Sequence, residues 1–371
     1  MRLALALFLV ACDGSHAADA GARADAASAD AASADAASAD AAISEDASGL
    51  DAGTPTGCPD SLHATVCSGV LDPSALGADI PPVPAGLVPG APGRHFFCTS
   101  SDGAWNGRLL VYLVGTYGDP ASEHAVPVRA CERGFAAIAP MYENRHLVRS
   151  VCGDDGPCYE RFRAAIVDGA PGAPVPLDVT AASSIRNRVA TLLAHLASEP
   201  GAPFSTLRDA LAAGDFSAVA LAGHSQGAGH ALYLARDEAA ERVVMLAGPS
   251  DRLGDGTPTH AAAPWIAALA ASPPRTALRL AYIHDDDSFQ RVPQVVDNWD
   301  LAGVPAERCA HASAGGYPAS CRRVHVDADR CGGLAAHLVP ILAGWGARCA
   351  AGDLHRNEPS WDFLLEAGRA P

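Results

Sequence analysis

The sequence predicts an α/β fold: a mostly parallel central sheet with helices on both faces, preceded by a disordered tether. Three observations carry this. From residue 107 onward, short apolar runs alternate with stretches of helical periodicity, the pattern of strands and helices in one layered domain. Several runs are continuously apolar, as strands covered on both faces must be. Residues 24–42 read ADAASADAASADAASADAA, a five-residue period of small side chains and regular aspartate with no apolar face to bury. Such a segment cannot offset its chain entropy.

The N-terminus comes first in chain order. Residues 1–11 read MRLALALFLVA: Arg2, then an apolar run from Leu3 to Ala11. The run is too short to span a bilayer, which takes roughly 20 apolar residues, but it suits the apolar core of a signal peptide. It ends in Leu9-Val10-Ala11-Cys12, which resembles the lipobox of bacterial lipoproteins. That resemblance implies a lipid on Cys12, a tether over residues 12–57, and an exported protein held at a membrane on the periplasmic or cell-surface side. The folded domain is then expected over 58–371.

The formal charge is −16, from 26 basic and 42 acidic residues, and every basic residue is arginine. Residues 12–57 account for half of the excess, with nine acids and one arginine. This balance argues against nucleic acid as a partner, since a phosphate-binding surface needs clustered positive charge. Of the 11 cysteines, setting aside Cys12 leaves an even number, which in an exported chain suggests disulfides. Cys152–Cys158 and Cys58–Cys67 are local candidates. No CxxC and no paired-histidine spacing supports a metal site, and no metal is expected.

The strand candidates are 108–115, 135–142, 216–224, 242–247, 277–284 and 322–326. The clearest helix is 181–197, with Ile185, Val189, Leu192, Leu193 and Leu196 on one face. Others are 227–237, 264–271, 292–299 and 334–349. Residues 58–100 are rich in Pro and Gly and are expected to add loops and an edge hairpin. Residues 143–180 interrupt the alternation and are a candidate flap.

The strand 216–224 leads into Gly223-His224-Ser225-Gln226-Gly227 and then a helix. This is G-x-S-x-G between strand and helix. The turn is so tight that the serine takes a strained backbone conformation, and glycines on either side avoid collisions. Gly229 is expected to let the helix approach the sheet. A dinucleotide reading needs G-x-G-x-x-G after the first strand, and a P-loop needs lysine; the chain has neither. Here the sequence resembles the α/β-hydrolase superfamily, and residues 107–350 look like an exported esterase or lipase-like hydrolase. The resemblance implies a nucleophile, acid and base in the chain order Ser, Asp or Glu, His.

Ser225 is then the nucleophile. The strand 277–284 runs into Asp285-Asp286-Asp287, where the family acid sits. Asp287 suits its usual place best, with Asp286 and then Asp285 as alternatives and Asp251 or Asp255 as fallbacks. His337 follows the next strand and is the expected base. His325 lies within a strand and is expected to be packed, and His224 to be structural. The oxyanion hole should be made by the backbone N–H of Gln226 and one from Gly115–Gly118, with Thr116 preferred and Tyr117 second. The resemblance thus implies a serine hydrolase acting on carboxylic esters, with a small-molecule, lipid or sugar ester as substrate and no cofactor. A peptidase or acyltransferase on the same triad, or a non-catalytic surface-anchored binding protein, are the alternatives, because fold alone does not establish activity.

Overall fold

A computed structural model describes residues 62–367 apart from 64, 78–79, 85–92, 199–202, 255–259, 285–290, 310–316, 327–336, 338–340 and 342–356. The strands are β1 (Val66–Leu71), β2 (His95–Ser100), β3 (Leu109–Leu113), β4 (Ala136–Ala139), β5 (Val219–His224), β6 (Arg242–Leu246), β7 (Leu278–His284), β8 (Arg308–Cys309) and β9 (Arg323–Val326). They form one 9-stranded sheet in the order β1-β2-β4-β3-β5-β6-β7-β9-β8. β1 and β2 pair antiparallel at one edge, and β2 meets β4 antiparallel. From β4 to β8 all pairings are parallel. Each of the six strand candidates holds one of these strands, and the Pro-rich stretch 58–100 supplies the antiparallel edge pair.

Every residue of β3, β4, β5 and β6 is buried. Successive strand residues face opposite sides, so the middle of the sheet is covered on both faces. That explains the unbroken apolar runs.

The helices are α1 (Ala125–Glu132), α2 (Val148–Cys152), α3 (Gly156–Asp168), α4 (Ile185–Leu196), α5 (Phe204–Ala212), α6 (Gln226–Asp237), α7 (Pro264–Ala267), α8 (Arg291–Leu301) and α9 (Glu358–Glu366). α4 lies within the amphipathic stretch 181–197, and its predicted apolar face is buried: Ile185, Val189, Leu192, Leu193 and Leu196. The candidate 264–271 divides into α7 and a 3₁₀ turn over Ala268–Ala270. Most of the candidate 334–349 lies outside the described residues.

α1, α2, α3, α5 and α9 were not predicted from periodicity. α3 and α9 carry proline in their first turn, where its missing N–H costs nothing. In α3 the Asp155 side chain caps the start by accepting from Cys158 N–H at 3.3 Å. α1 packs on β2 and β4. It is tied to α9 by Arg129, whose Nε and Nη2 each lie 2.7 Å from one oxygen of Asp362.

Three disulfides brace the described chain. Cys98–Cys131 joins β2 to α1, Cys152–Cys158 joins α2 to α3, and Cys309–Cys321 spans the approach to β9. The local pairing expected for Cys152 is therefore present. Cys67 is disulfide-bonded as well, while Cys58 lies outside the described residues. Among the described residues no helix is long and apolar enough to cross a membrane.

Candidate active site

β5 ends at His224 and α6 begins at Gln226, so the chain turns from strand to helix on the single residue Ser225. Its backbone sits at φ 53°, ψ −117°, a region that costs a non-glycine residue about 1–3 kcal/mol. The neighbours hold it there. Ser225 N–H donates to Leu246 O at 2.8 Å, and Ala228 N–H to Ser225 O at 3.1 Å. A Cβ at Gly248 would fall 2.3 Å from Ser225 O, and one at Gly227 would fall 2.1 Å from Leu113 O. Gly227 thus lets α6 approach β3. Gly229, which the sequence suggested for that role, faces the Arg163 guanidinium instead, with Nη2 2.4 Å from where its Cβ would be.

The loop after β3 lies against this turn. A Cβ at Gly115 would meet His224 Nδ1 at 3.0 Å and Ser225 Cβ at 3.3 Å. The buried Asn144 fixes the loop: its Nδ2 donates to Gly115 O (3.0 Å) and Gly118 O (2.7 Å). Tyr117 N–H donates to Asn144 O at 3.1 Å, and Gly118 N–H to Gly115 O at 3.1 Å. Tyr142 OH donates to Val114 O just before the loop. Complete burial raises the Tyr142 pKa, so the phenol keeps its proton and remains a donor. Tyr117 is thereby committed to Asn144, whereas Thr116 lines the same small cavity as Ser225 and Gln226. Gln226 opens α6, so its N–H belongs to the first turn, which has no acceptor within the helix.

His337 is buried, 5% exposed. Its ring centroid is 4.8 Å from that of His224, and His224 Nε2 lies 3.0 Å from His337 O. A carbonyl only accepts, so Nε2–H is the donor. His224 is 3% exposed and therefore links the serine turn to the segment bearing His337. The structural role expected for His224 takes this particular form. His325 is buried in β9, with Trp299 edge-on at 6.1 Å. Asp285, Asp286, Asp287 and Asp255 lie outside the described residues, as does Cys12.

Asp251 has both carboxylate oxygens engaged. Oδ1 accepts from Arg163 Nη2 at 2.6 Å, while Oδ2 accepts from Arg163 Nε at 3.1 Å and Trp265 Nε1 at 3.0 Å. Arg163 and Asp251 are wholly buried and both line the Ser225 cavity. Sequence reasoning missed Arg163, Asn144 and Tyr142. None stands in a motif, and only the folded chain brings Arg163 to the serine cavity and Asn144 and Tyr142 to the loop beside it. Among the described residues no group of three His, Cys, Asp or Glu side chains could hold a metal ion.

No family model matches the sequence, and no curated protein matches it. Solved structures do. The chain is similar to a bacterial heroin esterase, with 16% identity over 90% of this chain and 89% of that one and a TM-score of 0.42. It is similar to an S-formylglutathione hydrolase from Agrobacterium tumefaciens, with 14% identity, 71% and 86% coverage, and a TM-score of 0.39. It is also similar to an esterase from the archaeon Pyrobaculum calidifontis, with 15% identity, 81% and 83% coverage, and a TM-score of 0.37. The architecture is a mostly parallel sheet whose strand-to-helix elbow carries a serine.

Proposed function

We propose that the protein is a serine hydrolase that cleaves carboxylic esters through an acyl-enzyme. The observation that carries this reading is the convergence of Ser225, Gln226 and Thr116 on one cavity, with Ser225 held in a left-handed elbow conformation. A serine with no chemical task has no reason to occupy a strained turn ringed by glycines.

In this mechanism the Ser225 hydroxyl attacks the ester carbonyl while His337 accepts its proton. The carbonyl oxygen becomes an oxyanion, bound by the N–H groups of Gln226 and Thr116. Asp287, with Asp286 as the alternative, orients His337 and stabilises its cation. Collapse of the adduct breaks the ester C–O bond, and His337 returns the proton to the leaving alcohol. Water, deprotonated by His337, then cleaves the acyl-enzyme to the acid and restores Ser225. The Arg163–Asp251 pair leaves the cavity wall without net charge from these two groups, which suits a neutral ester carbonyl. No cofactor takes part in these steps.

Ser225→Ala tests the reading directly. The wild type should hydrolyse p-nitrophenyl acetate and be labelled by a fluorophosphonate. The variant should lose labelling and about 10⁴–10⁶-fold in turnover. A wild type that is neither active nor labelled sinks the proposal. Attachment to a membrane through lipid on Cys12 belongs to the same reading, and Cys12→Ser should abolish incorporation of labelled fatty acid.

A further inference from the structure

Gln226 is gripped from outside its own helix at two points. Its side-chain Oε1 accepts from the backbone N–H of Val148 in α2 at 3.0 Å. Its backbone carbonyl accepts from Arg163 Nη1 in α3 at 2.8 Å. The two gripping helices are themselves joined by Cys152–Cys158, and α3 packs on both α6 and α7. Residue 226 therefore hangs between two short helices that cannot drift apart.

The arginine is an unusual choice for this task on stability grounds alone. Its side chain is fully buried, and a buried ion pair gains little over well-packed apolar side chains because both charges lose their water. The structure nevertheless accommodates it at every side. Asp251 neutralises it bidentately, and Trp265 Nε1 completes the hydrogen bonding of that carboxylate. Asn298 Nδ2 donates to Pro249 O at 3.0 Å in the segment that leads to Asp251. Gly229 leaves out the side chain that would strike the guanidinium. What this arrangement delivers is one donor, Arg163 Nη1, aimed at the main chain of the residue next to the nucleophile.

We propose that helices α2 and α3, stapled by Cys152–Cys158, form a clamp that holds the Gln226 N–H in line with the developing oxyanion, with Arg163 as its positioning residue and Asp251 as the counter-ion. This rests on the reading of Gln226 as an oxyanion donor. The physical reason is that a donor stabilises the transition state only if it is already aimed before the reaction, since reorienting it during the reaction costs part of the gain. The first turn of a helix has no hydrogen bonds from its own N–H groups to stiffen it. The strained Ser225 just ahead of it would relax if residue 226 could rotate. The Gln226 carbonyl belongs to the next peptide unit, so gripping it and the side chain holds the Cα from which the N–H projects, while Ala228 N–H holds the Ser225 carbonyl in the peptide plane of that N–H. The clamp acts on an interaction that strengthens in the transition state, so its loss should lower kcat and leave KM nearly alone.

Arg163→Lys tests this in the full chain. The charge opposite Asp251 is kept, but the rigid planar fork that pairs bidentately with the carboxylate while aiming Nη1 at Gln226 O is lost. With p-nitrophenyl acetate, kcat should fall by about 10–100-fold, the scale of a misplaced catalytic group, with KM little changed. The inhibition constant of phenylboronic acid, whose tetrahedral serine adduct uses the same N–H groups, should rise in step with the loss in kcat/KM. A second variant, Cys152→Ser with Cys158→Ser, leaves the ion pair in place and should move kcat and boronate affinity in the same directions by a smaller factor. A folded Arg163→Lys with wild-type kcat overturns the clamp. So does a lower kcat without weakened boronate binding in either variant, because a purely structural role predicts no such coupling. If the wild type itself neither turns over esters nor accepts a fluorophosphonate, the failure belongs to the hydrolase reading and is recognised as such.

Discussion

His224 Nε2 lies 3.0 Å from the main-chain oxygen of His337, 113 residues further along the chain. The residue before the nucleophile therefore carries the segment that holds the expected base. Because the contact goes to a backbone oxygen, it positions His337 without using its ring nitrogens. His224→Phe should keep the ring packing and lose the hydrogen bond to the His337 oxygen. We expect about 1 kcal/mol less stability and a reduced kcat for p-nitrophenyl acetate, read from urea unfolding and steady-state rates. An unchanged kcat would show that His337 is placed by other contacts.

The glycines of the elbow should not be equivalent. A methyl at position 227 would meet the backbone oxygen of Leu113, which belongs to β3 and cannot yield, whereas one at 229 meets the end of the Arg163 side chain. Gly227→Ala should destabilise by about 3 kcal/mol and Gly229→Ala by less, as compared by thermal melting. Ser225→Gly should go the other way and raise the melting temperature, since glycine occupies φ 53° without strain. A Gly229→Ala variant less stable than Gly227→Ala would contradict this packing.

The triad acid can be located by substitution. Asp287→Asn should cost about 10⁴-fold in kcat, with Asp286→Asn much milder, since one carboxylate orients the imidazole and its neighbours do not. The reverse order would assign the role to Asp286. Asp251→Asn is a different case: it strips the buried Arg163 of its counter-ion, so its main effect should be on folding, about 3–5 kcal/mol, measured by urea unfolding.

Acid should weaken the fold through its buried histidines. Burial lowers the pKa of His95 to about 3 and of His124 to about 4, and His63, stacked edge-on against His124, is lowered too. In the unfolded chain a histidine titrates near 6.5. Below that pH the unfolded state takes up protons that the folded state refuses, so stability present above pH 6.5 is lost as pH falls toward 4. His95 and His124 each contribute a slope of about 1.4 kcal/mol per pH unit in that window. The urea midpoint should drop steadily between pH 7 and 4.5, and His124→Phe should flatten the decline. A midpoint that stays level over this range would refute the assignment.

The sheet was legible in the sequence because a strand buried on both faces must be apolar throughout. That signature needs no partner to be seen in β3, β4 and β5, and the alternation of short runs with helical stretches located every other parallel strand except the two-residue β8. The serine elbow was legible for a similar reason: Gly223, Ser225 and Gly227 answer steric demands that arise within five residues. α1 and α3 each bury one face, with Val126 and Ala130 in α1 and Tyr159, Phe162 and Ile166 in α3, but Pro127 and Pro157 near their starts interrupt a local helical reading. Asn144 was invisible because its role is to satisfy the carbonyls of a loop some 26 residues away.

The amino-acid sequence alone therefore determined the parallel architecture and the identity of the strained serine, both set by local sterics, and offered Cys152–Cys158 as one candidate pair that the fold then formed. Only the tertiary structure decided that Gly227 rather than Gly229 admits the sheet, that Tyr117 spends its N–H on Asn144, and that Asp251 answers Arg163. These outcomes depend on which backbone oxygens and charges are left unpaired when distant segments meet, and a linear chain does not carry that information at any single position.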